Sequence, residues 1–320
     1  MRAAVRWAFM PTRRQFNSLL LGTFAAGRHT FAAPASTMIG GVNLGLESYS
    51  LMPLRGDGIE DRWIRVMRQL GFSECDVYEP LLQPPELGAK MQAARIAHDR
   101  AATDAAVAEL NQWRSTLSVS SFRQMREKFA AAGIRLPIFA GTTLTPASTD
   151  ADLEHACALT QALGADTLSV TTGKSVVKRL LPLIDRYNLV LGVQGRPSAT
   201  ATDPDAITHP ADYEEAISYS PRCAIEIDIG DATGAGFDIL PFVRRNHARI
   251  ERIELKDRKR DNTSMPWGQG DTPLKEVLLY VRDNHLPIRC YIDCDYAPAT
   301  EQRVASIEEC RTYLRSVLGA

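Results

Sequence analysis

From residue 40 onward, the chain alternates short apolar runs with longer stretches of helical periodicity. The predicted strands are 41–50, 74–79, 135–141, 166–172, 188–195, 222–230, 249–257 and 287–296. The predicted helices are 59–70, 119–132, 150–163, 174–187, 208–219, 236–247, 272–284 and 302–317. Eight strand–helix units are typical of a (β/α)8 TIM barrel, an α/β fold of about 250 residues. A doubly wound open sheet shares this alternation and is the alternative.

The stretch 83–118 is longer than an ordinary loop and is rich in alanine and charged residues. It predicts an extra helix, inserted between the second strand and the second helix. No linker interrupts the pattern elsewhere, so the sequence predicts a single domain spanning residues 40–318.

Residues 1–35 have the pattern of an export signal peptide. The pair Arg13-Arg14 precedes an apolar stretch over 19–26 and small residues at 33–35 that resemble a cleavage site. Paired arginines in this place are typical of twin-arginine signals. An amphipathic N-terminal helix is the alternative interpretation. The sequence therefore predicts that the mature chain works in the periplasm or elsewhere outside the cytoplasm.

The composition excludes two broad classes of partner. A formal net charge of -1 argues against nucleic-acid binding, which usually requires a basic surface. No stretch of the mature sequence is long and apolar enough to span a membrane. The 45% of hydrophobic residues is instead sufficient for a full globular core.

Six cysteines lie in the predicted mature chain, and their spacing matches no zinc motif. Cys290 and Cys294 fall on one strand face about 13 Å apart, at ~3.3 Å per residue, which is too far for a disulfide between them. The sequence predicts buried free thiols, although export would allow disulfides to form.

Polar residues follow the last strands of the pattern at their carboxyl ends, where the active sites of such barrels lie. In "IELKDR" (253–258), Glu254 and Lys256 share one strand face, because residues two apart point the same way. The same alternation pairs Gln194 with Arg196 on the fifth strand. We expect these polar faces to point inward and the apolar faces to pack on the helices.

The order "IDIGD … IELKDRKRD … WGQGDTPLKEVL … YIDCDY" resembles the sugar phosphate isomerase/epimerase family, the xylose isomerase-like TIM barrels. The resemblance covers most of residues 40–318 and is strongest over 222–296. It implies a divalent metal ion held by residues from strands five to eight, and two carboxylates that move a proton at a carbon beside a carbonyl.

Carried over to this chain, the metal-ligand positions implied by the resemblance are Gln194, Asp228, Glu254 and Asp293. Asp228 alone keeps the residue usual in the family, and none of the six histidines falls at a ligand position. All four residues offer oxygen, which suits Mg²⁺ or Mn²⁺ better than zinc. Gln194 cannot act as a base because an amide does not titrate.

The resemblance also implies catalytic roles. Asp293 is expected to act as the base or as a metal ligand, and Lys256 or Arg196 to stabilise the developing enolate oxygen. The residues expected to bind substrate are Asp76, Asp231, Asp257, Arg258 and Trp267. Because phosphosugars are mainly cytoplasmic, export favours a non-phosphorylated sugar or keto-glycoside, changed by isomerisation, epimerisation or a lyase-type reaction.

The charged residues also permit a second interpretation. Burying several carboxylates requires a compensating cation, which arginine can supply in place of a metal. The sequence predicts such an internal ion-pair network, formed by Glu226, Arg252, Glu254, Arg289 and Asp293. In that case the protein would be a metal-free, catalytically inactive carbohydrate-binding relative of the family. The sequence leaves both alternatives open.

Overall fold

The computed structural model describes residues 37–97, 99–142, 144–296 and 300–320, which belong to one compact unit. The predicted export signal in residues 1–35 lies outside the described residues. Within them, no helix has the length and apolar character needed to cross a membrane.

The described residues form a curled sheet of nine strands in a mixed α/β fold. The strands are β1 (Thr37–Ile39), β2 (Val42–Leu46), β3 (Val77–Tyr78), β4 (Ile138–Thr142), β5 (Thr167–Thr171), β6 (Val190–Gln194), β7 (Cys223–Asp228), β8 (Ile250–Leu255) and β9 (Arg289–Ile292). Their order is β1-β2-β9-β8-β7-β6-β5-β4-β3. All neighbours pair in parallel except the β1–β2 hairpin. The eight predicted strands are confirmed, and β1 is an addition.

The helices alternate with these strands, as the periodicity predicts. They are α1 (Ile59–Leu70), α2 (Pro85–Ile96), α3 (Arg100–Thr116), α4 (Val119–Ala131), α5 (Asp150–Leu163), α6 (Lys174–Tyr187), α7 (Pro210–Ser218), α8 (Ile229–Gly234), α9 (Ile239–Asn246), α10 (Leu274–Asp283) and α11 (Thr300–Leu318). Short 3-10 helices cover Ser48–Leu54, Glu79–Leu81 and His247–Arg249. All six cysteines are buried and carry free thiols.

The insertion after the second predicted strand forms two helices, α2 and α3, and not the single helix that the sequence predicts. Asp99 explains the break, because its side chain accepts a hydrogen bond from the Ala102 amide and so caps the start of α3. An ion pair of 2.6 Å between Lys90 and Glu109 links the two helices.

The two faces of the sheet differ sharply in chemistry. On β8, every residue is buried, and Ile253 and Leu255 belong to the apolar core between sheet and helices. Arg252 and Glu254 alternate with them and face the interior of the curled sheet, among other charged groups. The expectation that the charged face points inward is confirmed.

Arg252 lies at the centre of this interior. Its side chain is fully buried and forms ion pairs with four carboxylates, those of Glu47 at 2.6 Å, Asp76 at 2.9 Å, Glu226 at 2.8 Å and Glu254 at 2.7 Å. Burial alone would lower the pKa of Arg252, but the surrounding carboxylates raise it well above its usual value. The guanidinium is thus a permanent cation that holds together acids from four strands or strand ends.

Small residues make room for the buried polar groups. A side chain at Gly192 would collide with the Glu226 carboxylate, and one at Gly45 would collide with the Tyr291 ring. The charged and aromatic groups therefore fill space that branched apolar side chains occupy in the layers of ordinary barrels.

The structure corrects two parts of the predicted network, Asp293, which pairs with Lys256, and Arg289. Arg289 pairs with Glu74, Asp166 and Glu251 instead of joining the Arg252 cluster. Arg289 is the first residue of β9 and lies in register with Arg252, so two like charges would repel if both reached for the same acids. Arg289 therefore forms a separate cluster near the amino-terminal ends of the strands.

We predict that Arg252→Met strongly destabilises the fold. The substitution leaves four buried carboxylates without their cation, and breaking a buried ion pair costs about 3–5 kcal/mol. Chemical denaturation measures the loss of unfolding free energy. Arg252→Lys, which keeps the charge but not the forked donor geometry, should fall between the wild type and Arg252→Met.

The matched control is Arg245→Met, which breaks the exposed pair with Glu214. Such a surface pair contributes at most about 1 kcal/mol. Equal stability losses in the two methionine variants would contradict the central role of Arg252.

Candidate functional site

A cavity of about 720 Å³ opens where β6–β9 end. Eight of the residues singled out in the sequence line it, namely Gln194, Arg196, Asp228, Asp231, Glu254, Lys256, Arg258 and Asp293. They come together because parallel strands in one curled sheet bring their carboxyl ends to the same edge. The other wall comes from the 3-10 helix Ser48–Leu54 and from helices α2 and α3.

Lys256 lies at the centre of the cavity floor. Its Nζ is 2.7 Å from Asp228 Oδ2 and 2.9 Å from Asp293 Oδ2. Asp231 and Asp295 each lie 3.8 Å away. Burial acts to lower the pKa of Lys256, but these carboxylates outweigh it and raise the pKa well above its usual value. The site therefore contains a fixed ammonium group between two acids.

Glu254 lies directly above the Arg252 cluster. It accepts hydrogen bonds from Gln194 Nε2 at 2.8 and 2.9 Å, in addition to its ion pair with Arg252. The amide orientation of Gln194 follows from its neighbours, since Thr171 donates to its Oε1 at 3.0 Å. Burial raises the pKa of Glu254 to about 8, even though Arg252 opposes the shift. Burial therefore opposes ionisation of Glu254, whereas the contact with Arg252 favours it.

Asp293 has one unused carboxylate oxygen, as does its neighbour Asp295. Oδ2 contacts Lys256, whereas the buried Oδ1 has no hydrogen-bond partner among the described residues. Burial raises the pKa of Asp293 to about 6, with Lys256 opposing the shift. An ionised carboxylate with a free oxygen at a cavity wall is suited to accept a proton from a ligand.

The buried acids Asp228, Glu254 and Asp293 are close enough to hold a metal, with one oxygen of each within 4.8 Å of the others. The oxygens of Asp228 and Glu254 nevertheless already contact other protein groups. Asp228 Oδ1 accepts from the Asp231 amide and Oδ2 contacts Lys256, while Gln194 and Arg252 occupy both oxygens of Glu254.

With Lys256 between them, these residues do not fit a divalent ion. An ion would have to displace the ammonium group and break the contacts that position Glu254. Of the predicted ligand set, Asp293 alone offers a carboxylate oxygen with no contact in the described residues. The arrangement agrees better with the predicted ion-pair interpretation, with Arg252 as a cation as expected and Lys256 as a second cation that the prediction did not include.

Two ion pairs form the rim of the floor. Arg258 contacts Asp231 at 2.8 Å and Asp295 at 2.7 Å, so it closes the cluster around Lys256 on its solvent side. Arg196 is exposed at the cavity edge and forms no ion pair with any side chain that the structure describes. It is free to contact a ligand.

Three predicted substrate-binding residues lie elsewhere. Asp76 is fully buried below the floor, where it contacts Arg252 and accepts from the Ser48 amide at 2.7 Å. Asp257 lies two residues after Leu255 and, like it, points away from the interior of the sheet. Its carboxylate accepts hydrogen bonds from the amides of Gly268 and Gly270. These two carboxylates support the fold and the loop.

Trp267, the third of these residues, packs edge-on against Tyr313 with ring centroids 6.0 Å apart and is buried. The aromatic ring therefore anchors the loop over α11 and does not line the cavity.

The cavity residues that the sequence analysis missed come mainly from the insertion. Leu87, Met91 and Ile96 of α2 line the wall opposite the acids. The spacing of Leu87 and Met91, four residues apart on a helix, was the available signal. It could not reveal which part of the molecule the helix would face.

No protein-family model and no curated protein sequence matches the chain, but solved structures resemble it over most of its length. The 3-keto-D-glucoside 4-epimerase of E. coli has a TM-score of 0.60 at 10% identity, covering 85% of this chain and 99% of the other. A D-psicose 3-epimerase of Clostridium cellulolyticum H10, solved with D-tagatose, has a TM-score of 0.60 at 9% identity, covering 86% and 99%.

A xylose isomerase domain protein of Alicyclobacillus acidocaldarius has a TM-score of 0.57 at 12% identity, covering 87% of this chain and 100% of the other. At such low identity these likenesses show the fold alone. The chain is a mixed α/β fold with a curled nine-stranded sheet, and its structural neighbours are of the xylose isomerase-like type and include sugar epimerases.

We predict that Glu254→Gln changes the pH dependence of stability. Glu254 has an ordinary pKa of 4.5 and a folded pKa of about 8. Its favourable contribution is therefore complete below about pH 4.5 and is lost as the pH rises through 8. Glutamine does not titrate, so the variant should gain stability relative to the wild type between pH 5 and pH 8. At about 1.4 kcal/mol per pKa unit, the relative gain is a few kcal/mol.

Thermal unfolding of both proteins at pH 5 and pH 8 measures this difference. Glu214→Gln is the control, because the pKa of the partly exposed Glu214 is lowered by Asn246 and Arg245. Its relative stability should change little, and in the opposite direction. A pH-independent difference between Glu254→Gln and the wild type would contradict the assignment.

Proposed function

We propose that the protein is an exported (β/α)8-barrel enzyme, isomerase/epimerase-like or a related lyase, that removes a proton beside a carbonyl in a non-phosphorylated sugar or keto-glycoside. Closure of the barrel is supported by the bridge between Leu46 and Cys75, where the Leu46 amide donates to Glu74 at 3.1 Å. The order of the remaining strands also agrees with this fold.

The observation that carries the proposed chemistry is the contact between Asp293 and Lys256 at 2.9 Å. Asp293 Oδ1, free of other partners in the described chain, accepts the proton from the substrate carbon. The Lys256 ammonium donates a hydrogen bond to the carbonyl oxygen and stabilises the negative charge that develops on it as the enolate forms. Arg196 is placed to contact the same substrate from the rim.

Glu254 has a supporting role in this chemistry. Arg252 and Gln194 together use both of its oxygens, so it accepts hydrogen bonds and orients the floor beside the base, and it does not donate a proton.

The acids lie on one side of the substrate space. Carboxylates that flank both faces of a sugar ring would lie roughly 7 Å apart, given van der Waals contacts of about 3.5 Å on each face. The nearest oxygens of Glu254 and Asp293 are within 4.8 Å of each other. This spacing favours proton transfer on one face, as in isomerisation or elimination, over epimerisation between two opposed bases.

The electrostatics favour an uncharged substrate. Five carboxylates surround the cations of the floor, those of Asp228, Asp231, Glu254, Asp293 and Asp295. A phosphate group would meet this acidic surface at an unfavourable potential. A neutral sugar can instead donate its hydroxyl hydrogens to the carboxylates. The similarity of the fold to an E. coli protein named as a 3-keto-D-glucoside 4-epimerase agrees with a keto-glycoside.

The second candidate is a carbohydrate-binding protein without turnover. The amide of Gln194 favours it, because a residue that cannot titrate stands at one of the positions expected to take part in proton transfer. A single experiment distinguishes the two candidates.

We predict that the protein accelerates the exchange of deuterium from D₂O into methyl 3-keto-β-D-glucoside at the carbons beside the carbonyl. Asp293→Asn should lower the enzyme-dependent rate by about 10²–10⁴-fold, the usual contribution of a general base. Lys256→Met should lower it by about 10²–10³-fold through loss of the oxyanion donor. Proton NMR follows the exchange against a protein-free background.

Asp185→Asn is the matched control, since Asp185 lies on the surface at the end of α6, in an ion pair with Arg222. Its exchange rate should equal that of the wild type. A wild-type rate at the protein-free background would contradict the enzyme proposal, and binding of the glycoside in the same sample would favour the second candidate.

Export is part of the same proposal and rests on the residues at 13 and 14. Replacing Arg13 and Arg14 together by lysine should keep the protein in the cytoplasm of a bacterial host that has a twin-arginine pathway. Cell fractionation measures this. Retention of the unchanged chain in the cytoplasm of that host would contradict export.

A further inference from the structure

The cavity wall opposite the acids carries a cluster of apolar side chains, beside the polar Arg55, Gln83 and Gln92. One face of helix α2 contributes Leu87 and Met91, and Leu110 of α3 lies beside them. Met52 and Tyr49, from the 3-10 helix Ser48–Leu54, complete this surface, which we call the apolar wall. No strand end contributes to it, so the wall is separate from the residues that carry the proposed chemistry.

The apolar wall continues into side chains that are unusually exposed. Among the described residues, three large apolar side chains are exposed, those of Met38, Tyr49 and Ile96. Tyr49 and Ile96, with exposures of 39% and 72%, both line this cavity. Exposed apolar groups that gather at one concave site typically mark a surface that a ligand covers.

Two aromatic rings stand where the wall meets the acidic floor. Tyr49 and Tyr78 form a perpendicular pair with centroids 5.5 Å apart, and both line the cavity. Aromatic rings pack well against apolar or aromatic ligand groups, and the flexible Met91 and Met52 can adapt to an aromatic ring through sulfur contacts.

The cavity is also larger than one sugar ring requires. At about 720 Å³, the cavity is within the range of about 300–1,000 Å³ that accommodates drug-sized ligands. A sugar bound at the acidic floor would leave the apolar wall uncovered. A second, non-sugar part of the ligand would cover it.

We propose that the cavity binds a glycoside with an apolar or aromatic aglycone, its sugar on the floor and its aglycone against α2. This inference rests on the proposed function and specifies the substrate class of the same site. The insertion that forms α2 and α3 thus selects the substrate, while the strand ends act on it.

Isothermal titration calorimetry of the full chain with phenyl and methyl 3-keto-β-D-glucoside tests the proposal. These probes share the sugar and differ only in the aglycone. We expect the phenyl glycoside to bind about ten-fold more tightly or better, because burial of the ring against the wall is favourable. The double variant Leu87→Gln, Met91→Gln should lose most of this preference and keep its affinity for the methyl glycoside.

The matched control is Ala93→Gln, an exposed position of the same helix that does not line the cavity. It should keep the phenyl preference. Glutamine is a good helix former, so neither variant should disturb α2. Circular dichroism verifies that both remain folded.

The outcomes separate the two levels of the proposal. Equal affinity for both glycosides, or a phenyl preference that survives the double variant, would overturn the aglycone site while the sugar site stands. Failure of both glycosides to bind would overturn both, and the deuterium-exchange experiment would then also show the background rate.

Discussion

The interior of this fold depends on the Arg252 guanidinium. Four carboxylates have an oxygen within 2.9 Å of this guanidinium. Burying them without a cation would cost a large amount of folding free energy. The acids come from the end of β2, the residue before β3, the strand β7 and β8 itself, so the ion pairs connect opposite sides of the curled sheet. Where related folds pack branched apolar layers, this chain uses charge.

The same interaction positions the candidate site. Arg252 and Glu254 share one face of β8, and Lys256 directly follows the strand with the same alternation. Arg252 fixes Glu254, Gln194 completes its hydrogen bonds, and Lys256 then neutralises Asp228 and Asp293 above. The structural interior and the proposed catalytic floor therefore adjoin at Glu254, one oxygen of which lies within 4.8 Å of oxygens of Asp228 and Asp293. Such buried clusters are costly unless their members are satisfied, and the free oxygens of Asp293 and Asp295 at the cavity are points at which a substrate could bind.

Much of this architecture was predictable because it follows from local periodicity. Alternation along β8 correctly assigned Arg252 and Glu254 to the interior, and helical spacing located α5 closely. The same parity, applied to Asp257, would have placed it on the outside with Leu255. The ion-pair partners of Arg289 could not be predicted from the sequence, because they depend on the register between β8 and β9. The position of α2 over the cavity depends on tertiary packing that no local pattern encodes.

The most direct test of this account is the metal content of the folded protein, since the account requires the Lys256 ammonium to lie where a divalent ion would bind. Elemental analysis of the purified protein, followed by Mn²⁺ titration after chelation, measures it. We expect no stoichiometric ion in the wild type, weak Mn²⁺ binding, and tighter binding in Lys256→Met, where the acids lose their cation. One tightly bound ion per wild-type chain would contradict the account.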